Sequence, residues 1–253
     1  MRTLVVIGWV FASACSSVPS SPTVSDPQEV RGSAPSCEGS GLNEVALRAL
    51  AESNAPGAVV VIDLTTGAEI AAVSNAERLD TPAPPASTVK AFLARAALEG
   101  GVVTPDESLP CNGEWAHGKQ TLQCFHDHGD LALARAVATS CSAYFYEVVQ
   151  RLGTEKVADT FESFGLVGLG KTLREAPEEQ RMAIAVGHGT GLVTPRELAA
   201  AFANLVTTPS ASSKFVHAGM LDAVASAHGT ARKAAVPGMA VAGKTGTAES
   251  TIG

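Results

Sequence analysis

Two β-rich runs near the N-terminus are separated from a third by a long stretch of helical pattern. Residues 58–63 (AVVVID) and 69–74 (EIAAVS) flank a Leu-Thr-Thr-Gly turn, which predicts a hairpin. A helix over 42–50 precedes the hairpin, and residues 240–247 predict a strand close to the C-terminus. A strand that returns after many helices has to rejoin the hairpin. The order predicts an α+β fold, in which helices and an all-α subdomain flank an antiparallel sheet.

Periodicity and end signals divide the helical stretch into segments. Thr194 and Glu197 form a capping-box pattern with Pro195 at the first helical position, which is a strong helix start. We predict helices over 87–99, 131–152, 156–164, 195–205 and 214–225.

The first 40 residues predict a leader and a tether. Arg2 precedes an apolar run that ends in small residues and then Cys15, a layout typical of a secretory signal. A Cys in that place resembles a bacterial lipobox, so we expect residues 1–15 to be a lipoprotein-type signal that leaves Cys15 lipidated. Plain secretion, with Cys15 removed or inert, is the alternative. Residues 16–40 are rich in Ser, Pro and Gly and predict a flexible tether. The domain then spans 41–253, on an exported, membrane-anchored lipoprotein that faces the periplasm or the cell surface.

Charge and hydropathy exclude two classes of function. The 253 residues carry 18 Lys and Arg against 25 Asp and Glu, a formal charge of −7. Nucleic-acid affinity comes mainly from cations that meet phosphates, so we expect no nucleic-acid partner. No apolar run reaches the roughly 18 to 20 residues of a membrane-spanning helix. The expected membrane contact is the lipid anchor.

Three short motifs carry the candidate chemistry. Ser87 and Lys90 stand three residues apart at a predicted helix start, so their side chains share one face. A buried Lys can lose its proton and then act as a base that turns the Ser hydroxyl into a nucleophile. Lys244 begins a Lys-Thr-Gly-Thr run, where a cation and hydroxyls could hold a carboxylate. Ser140 begins a Ser-Cys-Ser run between the other two motifs.

In this order the motifs resemble those of penicillin-binding protein transpeptidases and serine β-lactamases. The likeness extends over residues 57–74, 187–189, 193–195 and 236–249, and so covers essentially everything after the tether. The Tyr-Phe-Tyr-Glu run at 144–147 is similar to class B penicillin-binding proteins. The resemblance implies a serine β-lactamase/transpeptidase-like fold and a penicillin-binding D,D-transpeptidase.

The resemblance also implies a role for each matched residue. Ser87 would attack the carbonyl of a D-Ala-D-Ala stem peptide or a β-lactam, and Lys90 would be its general base. Ser140 would relay a proton to the leaving group, while Lys244 would hold Ser140 and the substrate carboxylate. The backbone N–H groups of Ser87 and Thr247 would form the oxyanion hole. Substrate is expected to contact Ser142, Thr245, Gly246 and Thr247. This chemistry requires no cofactor.

Two positions depart from the family's pattern. Ser142 stands where the second motif usually has Asn, and a hydroxyl is shorter than an amide, which affects substrate positioning. His188 stands where Gln is common, and we expect it to be structural. The alternatives are a class D-like β-lactamase, which the residues around Pro85 resemble, and a non-catalytic β-lactam sensor. The sequence leaves open whether the acyl group passes to an amine or to water.

The family's sheet continues beyond the Lys-Thr-Gly-Thr strand, which implies an incomplete chain. Two further strands and a closing helix follow in the family, whereas six residues follow Thr247 here. Those elements need at least roughly 30 residues. We expect a C-terminally truncated sequence or a chain that folds poorly and acylates slowly. Direct pairing of residues 240–247 with the hairpin, in a smaller sheet, is the alternative.

The cysteines beyond Cys15 allow two readings. They are Cys37, Cys111, Cys124 and Cys141. In an exported protein a disulfide is the ordinary outcome, most simply Cys111 with Cys124. Cys111, Cys124, His128 and Cys141 would instead make a Cys₃His set suited to a closed tetrahedral zinc site. Elongation-type class B proteins are similar in carrying a metal-binding cluster between the first two motifs.

Residues 165–172 match the P-loop pattern G-x-x-x-x-G-K-[ST]. A P-loop needs a strand before the glycines and a helix that begins at the Lys. The preceding segment is helical in pattern and Pro177 follows soon after. We therefore expect no nucleotide partner.

Overall fold

The hairpin predicted near the N-terminus is confirmed and forms part of a three-stranded antiparallel sheet. The computed structural model of the protein describes four stretches of the chain: 4–10, 39–53, 55–118 and 120–247. Strand β2 (Gly57–Asp63) lies between β1 (Leu4–Val10) and β3 (Glu69–Ser74). The Asp63 carboxylate accepts a hydrogen bond from the Thr65 N–H at 2.8 Å and so organises the turn between β2 and β3.

Strand β1 falls within the predicted signal. Leu4 is paired with Asp63, and Val10 with Gly57, in an antiparallel register. Cys15 and most of the tether lie outside the described residues, so cleavage, lipidation and tether remain predictions. None of the helices in the described ranges combines the length and the apolarity that a bilayer crossing requires.

Nine α-helices lie within the described ranges. Their bounds are α1 (Gly39–Glu52), α2 (Lys90–Glu99), α3 (Leu133–Thr139), α4 (Ser142–Leu152), α5 (Thr154–Ser163), α6 (Val167–Glu175), α7 (Glu178–Ala185), α8 (Pro195–Thr207) and α9 (Ser213–Ala225). The capping box of α8 is confirmed, because the Thr194 hydroxyl accepts from the Glu197 N–H at 3.1 Å and the Glu197 carboxylate accepts from the Thr194 N–H at 2.7 Å.

The sheet is covered by a helix on each face. Leu50 of α1 packs in one apolar cluster with Val73 of β3. Val60 of β2 packs in another with Ala199 of α8. Successive side chains of a strand point to opposite faces, so β2 is buried on both sides. This burial fixes the sheet between α1 and α8.

Helix α2 runs through the centre of the main core. The Phe92 ring lies 5.3 Å from the Phe164 ring and 5.0 Å from the Phe202 ring, measured between centroids. Residues 90–97 of α2 are all buried. A short 3₁₀ helix, Ala86–Val89, leads directly into α2. The Ser87–Lys90 motif is therefore built on the most enclosed helix of the described chain.

The predicted single helix over 131–152 is wrong, because two helices meet at Ser140. Ser140 has left-handed backbone angles, φ 58° and ψ 34°, which end α3. The Cys141 sulfur then accepts a hydrogen bond from the Tyr144 N–H at 3.4 Å and caps α4. The apolar period is similar in both helices, so periodicity alone concealed the break.

The strand predicted over residues 240–247 is also wrong. A strand exists only where a neighbour supplies ladder hydrogen bonds. This segment instead lies against α9, where the Gly243 N–H donates to the Met220 carbonyl at 2.9 Å. The predicted class, an antiparallel sheet flanked by helices, is confirmed, but the Lys-Thr-Gly-Thr run is not a strand of that sheet within the described residues.

A second hairpin, which the sequence did not predict, lies between α2 and α3. It consists of β4 (Asn112–His117) and β5 (Gln120–Asp127). Trp115 anchors it, because the indole N–H donates to the Glu147 carboxylate of α4 at 3.0 Å. Most side chains of both strands are exposed, so the apolar alternation that predicts a strand is weak.

A helix precedes the segment that matches the P-loop pattern, and a second helix begins within it. Helix α5 precedes it, and α6 begins at Val167, before Lys171. The exposed Lys171 ammonium lies 3.9 Å from the Glu175 carboxylate. The strand–loop–helix arrangement of a P-loop is therefore not formed in this described part of the chain.

Candidate active site

Ser87 lies in a tightly held turn before α2. Ser87 is 9% exposed, and Lys90, three residues later, is fully buried. The Thr88 hydroxyl donates to the Pro85 carbonyl at 2.6 Å, and the Ala86 N–H donates to the Gly187 carbonyl at 2.7 Å. These bonds fix the Ser87 turn from both sides.

The close contact with this turn requires a glycine at position 187. Its φ is +92°, and a Cβ added to it would overlap the Ala86 carbonyl oxygen. The following residue, His188, donates its backbone N–H to the Ala183 carbonyl at 2.8 Å. The Gly-His-Gly run therefore supports the Ser87 turn, a link that the sequence did not reveal.

The Lys90 amine is held by both serines of the second motif. Its Nζ donates to the Ser140 carbonyl and to the Ser142 hydroxyl, each at 3.0 Å. Burial lowers the pKa of Lys90 to about 8, and the nearby Cys124 and Cys141 thiols oppose that shift. A neutral amine has two N–H donors and one lone pair. Because both donors are engaged, the lone pair of the Lys90 nitrogen remains free to accept a proton.

Lys244 joins the third motif to the second. Its Nζ donates to the Ser140 hydroxyl at 2.7 Å and to the Thr245 carbonyl at 2.9 Å. Burial, followed by the positive charge of Lys90, lowers the pKa of Lys244 well below its ordinary value. Two amines therefore contact Ser140, one through its carbonyl and the other through its hydroxyl.

The Lys-Thr-Gly-Thr segment lies against the Ser87 turn. A Cβ on Gly246 would come within 2.9 Å of the Thr88 side chain and 3.0 Å of the Pro85 carbonyl oxygen. The Thr245 hydroxyl donates to the Thr230 hydroxyl at 2.7 Å. Thr247, which ends the described chain, is exposed.

Thr230 is a site residue that the sequence did not reveal. Its backbone N–H donates to the Ala138 carbonyl at 3.2 Å, and its hydroxyl accepts from Thr245. It thereby ties the third motif to the end of α3. No local sequence pattern identifies Thr230, because both of its contacts are with residues distant in the sequence. The structure brings together five of the predicted site residues: Ser87, Lys90, Ser140, Ser142 and Lys244.

The predicted Cys₃His residues form one compact cluster. The ligand atoms of Cys111, Cys124, His128 and Cys141 all lie within 4.8 Å of one another. His128 Nδ1 lies 3.4 Å from the Cys111 sulfur and 3.6 Å from the Cys124 sulfur, and the Cys124 and Cys141 sulfurs are 3.9 Å apart. With zinc–sulfur bonds of about 2.3 Å, a tetrahedral site needs sulfurs about 3.8 Å apart. The donor set and its spacing fit zinc.

The three cluster thiols are free, so the alternative Cys111–Cys124 disulfide is not formed in the structure. The hydrogen bond from Cys141 lowers the pKa of the Cys124 thiol well below its ordinary value, and backbone N–H groups add to the effect. The same bond raises the pKa of Cys141. Of these two thiols, Cys124 is therefore the one that loses its proton more readily. Cys37 lies outside the described residues.

The cluster contacts the second motif directly. Cys141 stands between Ser140 and Ser142, and the Ser142 N–H donates to the Cys124 sulfur at 3.2 Å. The same Ser142 holds the Lys90 amine through its hydroxyl. The position of the Lys90 partners therefore depends on the cysteine cluster.

Several known proteins are similar to this chain. Peptidoglycan D,D-transpeptidase MrdA of Haemophilus influenzae is 30% identical over 224 residues, which cover 66% of this chain and 34% of that protein. MrdA of Escherichia coli K12 is 32% identical over 87 residues, which cover 32% of this chain and 14% of that protein. The chain thus spans about a third or less of the length of these curated relatives.

Solved structures share its fold. The D,D-transpeptidase domain of a peptidoglycan glycosyltransferase from Eggerthella lenta superposes with a TM-score of 0.72 at 24% identity, covering 84% of this chain and 70% of that one. Pseudomonas aeruginosa PBP2 superposes with a TM-score of 0.69 at 23% identity, covering 77% of this chain and 60% of that one.

The match to a protein family covers most of the chain. The family described as "Penicillin binding protein transpeptidase domain" matches residues 57–252, which include all three motifs and the cysteine cluster. The chain therefore belongs to the penicillin-binding protein transpeptidase family.

Proposed function

We propose that the protein is an acyl-serine D,D-transpeptidase that acts on peptidoglycan stem peptides ending in D-Ala-D-Ala and is acylated by β-lactams. The observation that carries this is the buried Lys90 amine, held by Ser140 and Ser142 three residues from Ser87. The name peptidoglycan D,D-transpeptidase, borne by the MrdA relatives, supports the same reaction.

In the acylation step, the Ser87 oxygen forms a bond to the penultimate D-Ala carbonyl carbon. Its hydroxyl proton passes to the lone pair of neutral Lys90, which the pKa of about 8 makes available near neutral pH. The backbone N–H groups of Ser87 and Thr247 stabilise the negative charge on the carbonyl oxygen.

The leaving group departs on the side of Ser140. The peptide C–N bond breaks, and the Ser140 hydroxyl gives its proton to the terminal D-Ala nitrogen. Ser140 is in turn reprotonated from the lysines, with Lys244 2.7 Å from its oxygen. The Lys244 N–H groups and the hydroxyls of the third motif hold the substrate carboxylate. The amine of a second stem peptide then attacks the ester carbonyl carbon. The new amide C–N bond forms, the ester C–O bond to Ser87 breaks, and a proton lost by the amine returns to the Ser87 oxygen.

We also infer that the cysteine cluster binds a structural zinc ion. Cys111, Cys124, His128 and Cys141 would hold it, since four ligands close a tetrahedral site. The ion would cross-link these four residues and would take no part in the reaction. Because the Ser142 N–H donates to the Cys124 sulfur, ligation of Cys124 would fix the turn that carries the second motif.

Action on peptidoglycan requires exposure on the outer side of the cytoplasmic membrane. The secretory layout of residues 1–15 supports export, and Cys15 after small residues supports a lipid anchor. Mass analysis of the N-terminus from membrane fractions tests both. A diacylglyceryl group on Cys15 is expected, and an unmodified mature N-terminus in the soluble fraction would contradict the anchor.

A peptide assay tests the proposed reaction. The protein is incubated with a stem pentapeptide and a primary amine acceptor, and free D-Ala and the new amide are measured. Both should form, both should vanish in Ser87→Ala, and both should persist in the control Ser163→Ala, which changes an exposed residue at the end of α5. Release of D-Ala by Ser87→Ala would contradict the assignment.

The lifetime of a penicilloyl adduct separates the alternatives. A D,D-transpeptidase is expected to hold the adduct for long periods while it still releases D-Ala from the peptide. Rapid release of hydrolysed penicillin would favour a β-lactamase instead. A stable adduct without peptide turnover would favour a sensor.

A further inference from the structure

The cysteine cluster contains a pair of thiols close enough to be oxidised together. The Cys124 and Cys141 sulfurs lie 3.9 Å apart, and neither is in a disulfide. The Cys111 sulfur instead lies 3.5 Å from the His126 carbonyl oxygen and 3.4 Å from His128 Nδ1. Because a disulfide holds its sulfurs about 2.0 Å apart, a bond between Cys124 and Cys141 requires a movement of about 1.9 Å.

Exposure distinguishes the two thiols of this pair. Cys124 is 8% exposed, whereas Cys141 is fully buried. Cys124 lies on β5 between Gln123 and Phe125, and both of these neighbours are exposed. A small oxidant therefore reaches the Cys124 sulfur first, and the Cys141 sulfur beside it is placed to complete a disulfide.

Both sulfurs support the turn that holds the general base. The Ser142 N–H donates to the Cys124 sulfur, and the Ser142 hydroxyl accepts a hydrogen bond from the Lys90 amine. Cys141 stands between Ser142 and Ser140, whose carbonyl is the other partner of Lys90. A movement that brings the two sulfurs together therefore displaces both partners of the amine.

We propose that Cys124 and Cys141 are a site of reversible oxidation by hydroperoxides, at which a disulfide displaces the Lys90 partners and slows acylation of Ser87. Reduction of the disulfide restores acylation. A zinc ion bound to the cluster would occupy both sulfurs and protect them. The inference rests on the proposed function, since acylation is the activity that the disulfide controls.

The oxidation proceeds in two balanced steps. The Cys124 sulfur attacks one oxygen of hydrogen peroxide, the O–O bond breaks, and a sulfenic acid forms while the thiol proton leaves in a water molecule. The Cys141 sulfur then attacks the sulfenic sulfur. The S–S bond forms, the S–O bond breaks, and the Cys141 proton leaves in a second water molecule. Two electrons pass from the two thiols to one peroxide molecule.

Peptide mapping and acylation kinetics test this site together. The unsubstituted protein, Cys124→Ala and the control Cys37→Ala, which removes a thiol that is not one of the four cluster residues, are each treated with hydrogen peroxide. Disulfides are then mapped, released zinc is measured, and the benzylpenicillin acylation rate is compared before peroxide, after peroxide and after dithiothreitol.

Peroxide should produce a Cys124–Cys141 disulfide in the unsubstituted protein and in Cys37→Ala, and bound zinc should leave as it forms. Their acylation rates should fall at least about tenfold, because a positioned general base contributes 10²-fold or more. Dithiothreitol should restore these rates, which excludes methionine oxidation as the cause, because methionine sulfoxide requires its own reductases. Cys124→Ala should acylate at the same rate before and after peroxide.

The mapped bond in the unsubstituted protein decides the outcome even if Cys124→Ala fails to fold. A Cys124–Cys141 disulfide that leaves acylation unchanged, or slowed acylation without that disulfide, would overturn the oxidation site and leave the proposed function intact. Failure of benzylpenicillin to acylate Ser87 in the fully reduced protein would overturn the proposed function, and the oxidation site with it.

Discussion

The Lys244 amine lies 2.7 Å from the Ser140 hydroxyl, although 104 residues separate the two in the sequence. At the same time the Ser140 carbonyl accepts a hydrogen bond from Lys90. The left-handed backbone of Ser140 ends α3 and allows this one residue to face both lysines. The helix break is thus part of the site.

Removing the Ser140 hydroxyl should slow acylation without loss of the fold. We expect Ser140→Ala to lower the penicillin acylation rate by about 10²-fold, because a proton relay contributes roughly that much. Ser140→Gly should lose the same rate while it relieves the left-handed strain. Stopped-flow acylation and thermal unfolding measure the two effects. Acylation of both variants at the unsubstituted rate would exclude Ser140 from proton transfer.

Acylation should depend on pH through Lys90. Only the neutral amine accepts the Ser87 proton, and burial lowers the pKa of Lys90 to about 8. The rate should therefore rise almost tenfold per pH unit below pH 7 and level off above about pH 8. Lys90→Arg, which stays charged, should be inactive throughout. A rate that is flat between pH 6 and pH 9 would contradict Lys90 as the base.

Metal content should follow the four cluster residues. Reduced protein is expected to hold about one zinc ion, and Cys124→Ser should lose it together with thermal stability, because ligation links the β4–β5 hairpin to α4. His126→Ala is the control, since its exposed ring lies outside the cluster. Elemental analysis and thermal unfolding measure both effects. A disulfide found by mass mapping in metal-free, fully stable protein would refute the zinc site.

Two glycines near the Ser87 turn should differ in their tolerance of alanine. At Gly187 an added Cβ overlaps the Ala86 carbonyl oxygen, so Gly187→Ala should destabilise the protein by roughly 3 kcal/mol or more. At Gly189 the nearest atom would be 3.8 Å away, and only the positive φ costs energy, about 1–2 kcal/mol. Urea unfolding compares them. Equal losses would show that the contact with Ala86 is unimportant.

Much of this architecture could be predicted from local pattern. The hairpin of 58–74 and the capping box of α8 are set by residues close together in sequence, and both are confirmed. The same holds for the short spacing of Ser87 and Lys90, which places both at the start of α2. Local signals of this kind do not depend on the rest of the fold.

The parts that sequence did not predict depend on tertiary contacts. The break at Ser140 is fixed by two lysines from distant segments, which periodicity cannot register. The β4–β5 hairpin is held by Trp115 on Glu147 and carries few buried side chains. The pattern of residues 240–247 predicts a strand, but within the described structure this segment packs against α9 and the Ser87 turn rather than against a strand.

The most direct test of the central claim is the identity of the acylated residue. The protein and Ser87→Ala are incubated with benzylpenicillin, and intact mass is followed by peptide mapping. The account predicts one penicilloyl group per molecule, located on Ser87 and absent from Ser87→Ala. An unmodified protein, or an adduct that persists in Ser87→Ala, would contradict it.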